Sequence, residues 1–112
     1  MGKQFDSLVI GQPSLDVNTD HTGHTIHETG GAVVYSGFAA AALGHPVCVL
    51  PKANSATIDL ASVFAAAKNI EVLPLKSPQS TSIENIYHTA DKERRSCRAI
   101  SRIEGYKSSE IP

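Results

Sequence analysis

Two adjacent glycines followed at once by an apolar helix constrain this chain more than any other feature. The stretch runs Thr29-Gly30-Gly31-Ala32-Val33-Val34-Tyr35-Ser36-Gly37-Phe38-Ala39-Ala40-Ala41-Ala42-Leu43-Gly44. Gly30 and Gly31 lack a Cβ, so the backbone can take φ > 0 and another group can approach closely. A helix opening directly after them aims its unpaired N–H groups at the same spot. The helix is small and apolar over most of its surface, which suits packing between a sheet and another layer. Gly44 is placed as the C′ residue, and Pro46 forbids continuation. A polar ligand, anionic ones included, fits at Gly30–Gly31; a tight turn into a core helix is the plainer alternative.

The segments around this helix alternate. Ser7-Leu8-Val9-Ile10-Gly11 is a short apolar run ending in Gly and predicts a buried first strand. Gln12-Pro13-Ser14-Leu15-Asp16 leaves its carboxyl end, where open α/β sheets place ligands, so Asp16 is the first polar candidate; an Asx-turn or a cap is its alternative role. Val47-Cys48-Val49-Leu50 predicts a second buried strand. A helix is expected from Thr57-Ile58-Asp59 through Leu60, Val63, Phe64 and Ala67, capped by Thr57 or Ser55. Glu71-Val72-Leu73-Pro74-Leu75 predicts a third strand, with Pro74 at its end or on an edge. Such alternation implies βαβ units and a parallel sheet.

Two segments differ. Val17 to Glu28 is polar and predicts an exposed hairpin turning near Thr22-Gly23. Its His21, His24 and His27 carry no Cys or paired acidic ligand at metal spacing, so surface histidines are preferred to a metal site. Ser82–His88 and Ser96–Ser101 flank the charged run 90–95 and predict an antiparallel hairpin. Arg94 and Arg95 read as solvated tip charges, with contact to a ligand as the alternative. Of Glu84 and Asn85, alternation puts only one on a given face. Lys52 and Asn54, at a strand end, are candidate pocket neighbours. Ile103 to Pro112 is polar and predicts no further core element.

Composition narrows the function classes. One domain is expected of 112 residues, enough to bury roughly two-thirds of the unfolded surface. Lys+Arg number 10 against Asp+Glu 11, which argues against nucleic-acid or anionic-membrane binding. With no Trp, three Tyr and three Phe, a base-stacking platform is not expected. No transmembrane run and no signal peptide are read, and Ser7 is one position late for the myristoylation pattern of Met1-Gly2. Cys48 and Cys97 read as reduced thiols of a cytoplasmic protein.

In order along the chain stand Val9-Ile10-Gly11, Ser14-x-Asp16, Gly30-Gly31 opening a helix that ends Leu43-Gly44, a strand and helix, then Ser80-Thr81-Ser82 leading into a hairpin. This series resembles the N-terminal part of the ribokinase/PfkB family of carbohydrate kinases. Ser14-Leu15-Asp16-Val17-Asn18 and Lys76-Ser77-Pro78-Gln79-Ser80-Thr81-Ser82-Ile83-Glu84-Asn85-x-Tyr87 look most like the inositol-kinase-like members. The resemblance implies a partial ribokinase-like, Rossmann-like α/β fold over 1–112. It also implies a small antiparallel β lid, with lid segments at about 17–28 and 82–101. It implies the substrate-binding part of an ATP-dependent sugar or polyol kinase, with myo-inositol as candidate substrate and ATP with Mg2+ as expected cofactors of a full-length member. The substrate-binding residues it implies are Asp16, Asn18, Gly30, Gly31, Tyr35 and Glu84.

Two departures follow from the same resemblance. Tyr35 stands where the family carries an Asn as a further substrate ligand. The family's glycine-rich anion-hole turn and catalytic Asp have no counterpart here, and no G-x-x-x-x-G-K-[ST] loop occurs either. No catalytic and no metal-ligating residue is therefore assigned within the chain, and by itself it is expected not to turn over ATP. A non-catalytic polyol-binding module and a remnant that assembles through its lid or an open sheet edge, as a homodimer, are the alternatives.

Overall fold

Short aliphatic runs make the strands of the first sheet, and Gly30 ends a strand of the second. The computed structural model describes residues 4–112, so the Met1-Gly2 pattern lies outside the described residues. The order is β1 (Ser7–Gly11), β2 (Ser14–Thr19), β3 (Thr25–Gly30), α1 (Ala32–Ala41), β4 (Val47–Ala53), α2 (Leu60–Phe64), β5 (Ile70–Val72), β6 (Leu75–Lys76), β7 (Thr81–Tyr87) and β8 (Arg95–Ser101), closing on a 3-10 turn at Ser108–Glu110.

The strands form two sheets. In the first, β4 lies between β1 and β5 and also pairs with β6, and every pairing is parallel. Helix α1 packs on one face of it, where Val33, Ala41, Val47, Val49 and Phe64 form the core. Phe38 stacks on Phe64 at 5.9 Å between centroids. The helix lies close to the sheet at Gly37, where a Cβ would stand 3.1 Å from Val49 Cγ1. The second sheet runs β3-β2-β7-β8; β2–β3 and β7–β8 are antiparallel, but β2–β7 is parallel. Leu15 of this sheet reaches a smaller cluster of Ala53, Ile58 and Leu60, joining the two layers. The fold is therefore α/β, with one parallel and one mixed sheet.

Small hydroxyls fill the seam between the sheets. Ser80 Oγ accepts from Asn54 N at 2.9 Å and shares a 2.7 Å bond with Thr57 Oγ1. Ser77 Oγ accepts from Glu104 N at 2.9 Å, and Thr81 Oγ1 from Ile103 N at 3.2 Å. Ser14, Ser77, Ser80 and Thr81 are all buried, and each buried polar group here finds a partner, as burial requires.

The structure corrects several expectations. Strand β1 is not fully buried: Val9 faces the core, while Leu8 and Ile10 are 43% and 44% exposed on the other face. Helix α2 is only Leu60–Phe64, and its cap is Asp59, whose carboxylate accepts from Ser62 N at 3.3 Å, rather than Thr57 or Ser55. Thr57 is instead held by the Asn54 carbonyl and Ser80. The third strand is broken around Leu73-Pro74 into β5 and β6, because Pro has no N–H to offer the ladder. The second sheet is mixed rather than wholly antiparallel. Helix α1 is open on its outer side, with Tyr35 67% exposed. Its C-cap is Ala42, and Gly44 lies two residues on in the left-handed region at φ 84°.

The largest correction is the tail. Lys52 is fully buried, and its Nζ donates to Glu110 Oε1 at 2.9 Å and to Gly105 O at 2.8 Å. Its ammonium also lies 5.5 Å from the centre of the Tyr106 ring. The Tyr106 hydroxyl is 2.7 Å from the carbonyl oxygens of both Gly11 and Leu50; with one proton it donates to one at a time. Burial pushes the Tyr106 phenol up to about 12, against the lowering effect of the Gly11 bond. Residues 103–112 thus dock across the carboxyl ends of β1 and β4.

Candidate functional site

The carboxyl end of β1 leads through Gln12-Pro13 into β2, and β3 returns beside β2 to end at Gly30. Ser14 pairs with Gly30 and Asp16 with Glu28, so these four residues share one face. Asp16 is an interior strand residue and neither an Asx-turn nor a cap. Its Oδ1 accepts from Ser14 Oγ at 2.7 Å. A Cβ on Gly30 would stand 2.7 Å from Asp16 Oδ2 and 3.5 Å from the Tyr35 hydroxyl oxygen. Asp16, Gly30 and Tyr35 therefore converge.

Gly31 is the N-cap of α1 at φ 105°, and a Cβ there would come within 2.5 Å of Gln12 O. Only glycine fits without moving backbone. The plainer alternative, a tight turn into a core helix, accounts for Gly31 by itself. It does not account for a carboxylate and a phenol meeting over Gly30.

The same face continues along the second sheet. Asn18 Nδ2 donates to Glu28 Oε2 at 3.3 Å, and Asn85 Nδ2 donates to Asn18 Oδ1 at 2.9 Å. Arg95 Nη1 donates to Asn85 Oδ1 at 3.4 Å. A polar ladder, Glu28–Asn18–Asn85–Arg95, thus crosses all four strands. Beyond it lies a cleft of about 190 Å³ lined by Asn18, Asp20, His24, Ile26, Glu28, Tyr87 and Lys92. Asp20 at its rim accepts from Thr22 Oγ1 at 2.6 Å and from the N–H groups of His24 and Thr22, which hold its carboxyl below the usual carboxylate range.

Glu84 is not brought to this face. Asn18 pairs with Asn85 in the parallel register, so Glu84 points to the opposite side, where Arg98 Nε donates to it at 2.7 Å. Asn85 takes the place expected of Glu84; the sequence showed that one of the two would face the site, and the register decides which. Lys52 does not join the group either, being committed to the tail, and Asn54 is bound to Ala56 N and Pro78 O. Arg95 does reach the ladder. His27 pairs with Val17 on the far face, and among the described residues no three His, Cys, Asp or Glu side chains gather to hold a metal ion. A cavity of about 600 Å³ around Phe5, Pro46 and Ile70 lies at the amino ends of β4 and β5. Parallel sheets present their ligands at the carboxyl ends, so the Asp16 face is the candidate site.

No protein-family model and no curated protein sequence matches the chain. Solved structures do. A pyrophosphate-dependent kinase in the ribokinase family, solved with sulfate, is 32% identical, with a TM-score of 0.79 over 94% of this chain and 36% of its own. A pyrophosphate-dependent kinase of that family complexed with a pyrophosphate analog and myo-inositol is 28% identical, with a TM-score of 0.78 over 94% of this chain and 35% of its own. Ribokinase from Cryptococcus neoformans var. grubii serotype A, complexed with ADP, is 16% identical and shares the fold alone, with a TM-score of 0.68 over 88% of this chain and 34% of its own. The chain has a ribokinase-like fold and is similar to ribokinase-family kinases over part of their length. Its most similar partners here include kinases that are pyrophosphate-dependent, one of them holding an inositol. It spans 36% and 35% of the length of those two.

Proposed function

We propose that the chain supplies the substrate-binding part of a carbohydrate kinase and holds a sugar or cyclic polyol, with myo-inositol as the first candidate. The observation that carries this is the convergence of Asp16 Oδ2 and the Tyr35 hydroxyl on Gly30. A polyol is a ring of donors and acceptors. It needs a carboxylate to accept from its hydroxyls, and backbone close enough to exclude water. Asp16 supplies the acceptor, Gly30 and Gly31 the close approach, and Tyr35 a hydroxyl that works in either sense. Asn18 and Asn85 extend the same face with amides. The second sheet, including segments 17–28 and 82–101, acts as the lid over the substrate.

The phosphoryl donor is a phosphoanhydride delivered from outside these residues. ATP with Mg2+ is the family expectation, and pyrophosphate stands beside it because the relatives at 32% and 28% identity depend on it. In this division of labour the chain's own residues bind and orient the accepting hydroxyl, and the transfer itself is carried out elsewhere.

Calorimetry of the chain with myo-inositol, ribose and fructose, each with ATP or pyrophosphate, tests this division of labour. Heat with at least one polyol and no donor consumption are expected, with Asp16→Asn weakening binding by about tenfold or more, the loss of one charge-assisted bond. No heat with any polyol would remove the substrate-binding reading. Donor consumption by the chain itself would remove the division of labour, and a stable dimer without ligand heat would favour the assembling remnant.

A further inference from the structure

The turn that leads from β1 to Asp16 is held by two other elements. One is α1. A Cβ on Gly31 would lie 2.5 Å from Gln12 O, 3.0 Å from Pro13 Cα and 3.2 Å from Ser14 N, and one on Gly11 would lie 3.4 Å from Val33 Cβ. The other is the tail, whose Tyr106 hydroxyl is 2.7 Å from Gly11 O. Pro13 and Ser14, within the turn, are buried. The same tail is tied to the second sheet where β7 begins. Thr81 Oγ1 accepts from Ile103 N at 3.2 Å, and Thr81 is the register partner of Ser14. Ser14 Oγ in turn donates to Asp16 Oδ1 at 2.7 Å. Tyr106 is itself fixed. Its ring lies 5.5 Å from the Lys52 ammonium, which is fully buried and donates to Gly105 O and to both carboxylate oxygens of Glu110 at 2.8, 2.9 and 3.2 Å. A buried ammonium needs such partners, so the tail has a strong anchor beside the phenol.

We infer that Tyr106 is a positioning residue for the Asp16 face: its hydroxyl, set in place by Lys52 and Glu110, holds the turn 11–14 against Gly31 and so fixes where the Asp16 carboxylate meets Gly30. The turn has few other means of keeping its place. Pro13 has no N–H, and Gly11 and Gly31 contribute no side chain. Its backbone is set by what touches it. The phenol has one proton for two carbonyls, Gly11 O at the end of β1 and Leu50 O on the fully buried β4. It therefore ties the turn to the best-packed strand of the molecule. A carboxylate recognises hydroxyls through short, directional bonds, and a small displacement of the group weakens such recognition steeply. The inference rests on the proposed polyol reading for the ligand, but the hold of Tyr106 on the turn does not depend on it.

The test is Tyr106→Phe, which removes the hydroxyl and leaves the ring beside Lys52. Amide spectra of the ligand-free chain are read together with calorimetry on myo-inositol, ribose and fructose. Expected are a folded chain, amide shifts at Gly11, Gln12, Ser14 and Gly31, and about tenfold weaker binding of the polyol that gives heat, the scale of one hydrogen bond. Ser77→Ala is the contrasting variant. It takes the Ser77 Oγ anchor from Glu104 N in the same tail without touching Gly11, so it should leave those four amides and the affinity unmoved. Undiminished affinity in Tyr106→Phe would overturn the inference. So would unmoved amides at the turn, loss of the folded state, or a Ser77→Ala variant that moves the turn and the affinity equally. If the unaltered chain gives heat with no polyol, the proposed function falls, and the four amides of Tyr106→Phe then decide whether the hydroxyl holds the turn.

Discussion

In the first sheet β4 is buried along its whole length, and Val33, Val47, Val49 and Phe64 meet across it. In the second, β8 is exposed at every residue from Arg95 to Ile100, and β3 at every residue but Gly30. The first sheet is stabilised by removing aliphatic surface from water, at roughly 25 cal/mol per Å². The second holds together through ladder bonds and cross-strand pairs such as Thr19–Thr25 and Asn85–Asn18, each contributing only about 0.2–1 kcal/mol. The difference teaches a division of roles: one sheet secures the fold, and the other spends its side chains on a polar face. A sheet with so few buried apolar contacts opens at low free energy, which suits a lid.

Substitutions in the two sheets should therefore separate stability from binding. Phe64→Ala, in the core, should have the largest effect, costing about 3–5 kcal/mol and read as a large fall in melting temperature. Lys52→Ala follows, at about 3 kcal/mol, near the low end for a broken buried pair because Glu110 keeps some contact with water. Release of residues 103–112 should appear in that variant as faster exchange of the tail amides. If Phe64→Ala and an alanine in the second sheet cost the same, the contrast between the sheets fails.

The tail contact also sets a pH dependence. The bond from Lys52, aided by the Lys107 N–H, holds the Glu110 carboxyl below 4.5. A depressed folded value means the unfolded chain takes up the proton first. The Glu110 contribution is therefore complete above about 4.5 and is lost as pH falls through the folded value. Tyr106 acts at the other end: its folded value of about 12 lies above the ordinary 10, so its contribution is complete below 10 and is lost as pH rises toward 12. Tail-amide exchange and tyrosine absorbance followed against pH check both limbs; a tail indifferent to acid would contradict the Glu110 contact.

Asn85→Ala should cost about 1–2 kcal/mol, since it strands partners on Asn18 and Arg95, and should lower polyol affinity by more than it lowers stability. Arg98→Ala should do least, at about 0.5 kcal/mol or below for an exposed pair, with polyol affinity unchanged because its partner Glu84 faces away. Equal losses of affinity in the two variants would erase the distinction between the faces.

The parts legible in the sequence are those fixed by local pattern. Leu8-Val9-Ile10 between Asp6 and Gly11 gives β1, and Gly30-Gly31 before a run of small apolar residues gives the start of α1. Asp16 stood out as a candidate from its place after a strand, and its role is the one proposed above. Glu84 against Asn85 was not legible, because parity follows from the register of β7 on β2, a contact 67 residues apart in the Asn85–Asn18 pair. The tail escaped for the same reason: Glu110 and Lys52 are 58 residues apart, and a polar run carries no periodicity to announce such a docking. The expected 57–67 helix was too long because Asn54 and Ser80 hold Thr57 outside it, leaving Asp59 to cap.

The most direct measurement is a backbone amide titration of the isotope-labelled chain with myo-inositol. The account predicts shifts at Asp16, Asn18, Gly30, Gly31 and Asn85, with Glu84 and Arg98 unmoved. Shifts confined to Glu84 and Arg98, or no shifts at any residue up to millimolar ligand, would contradict the assignment of the Asp16 face as the polyol site.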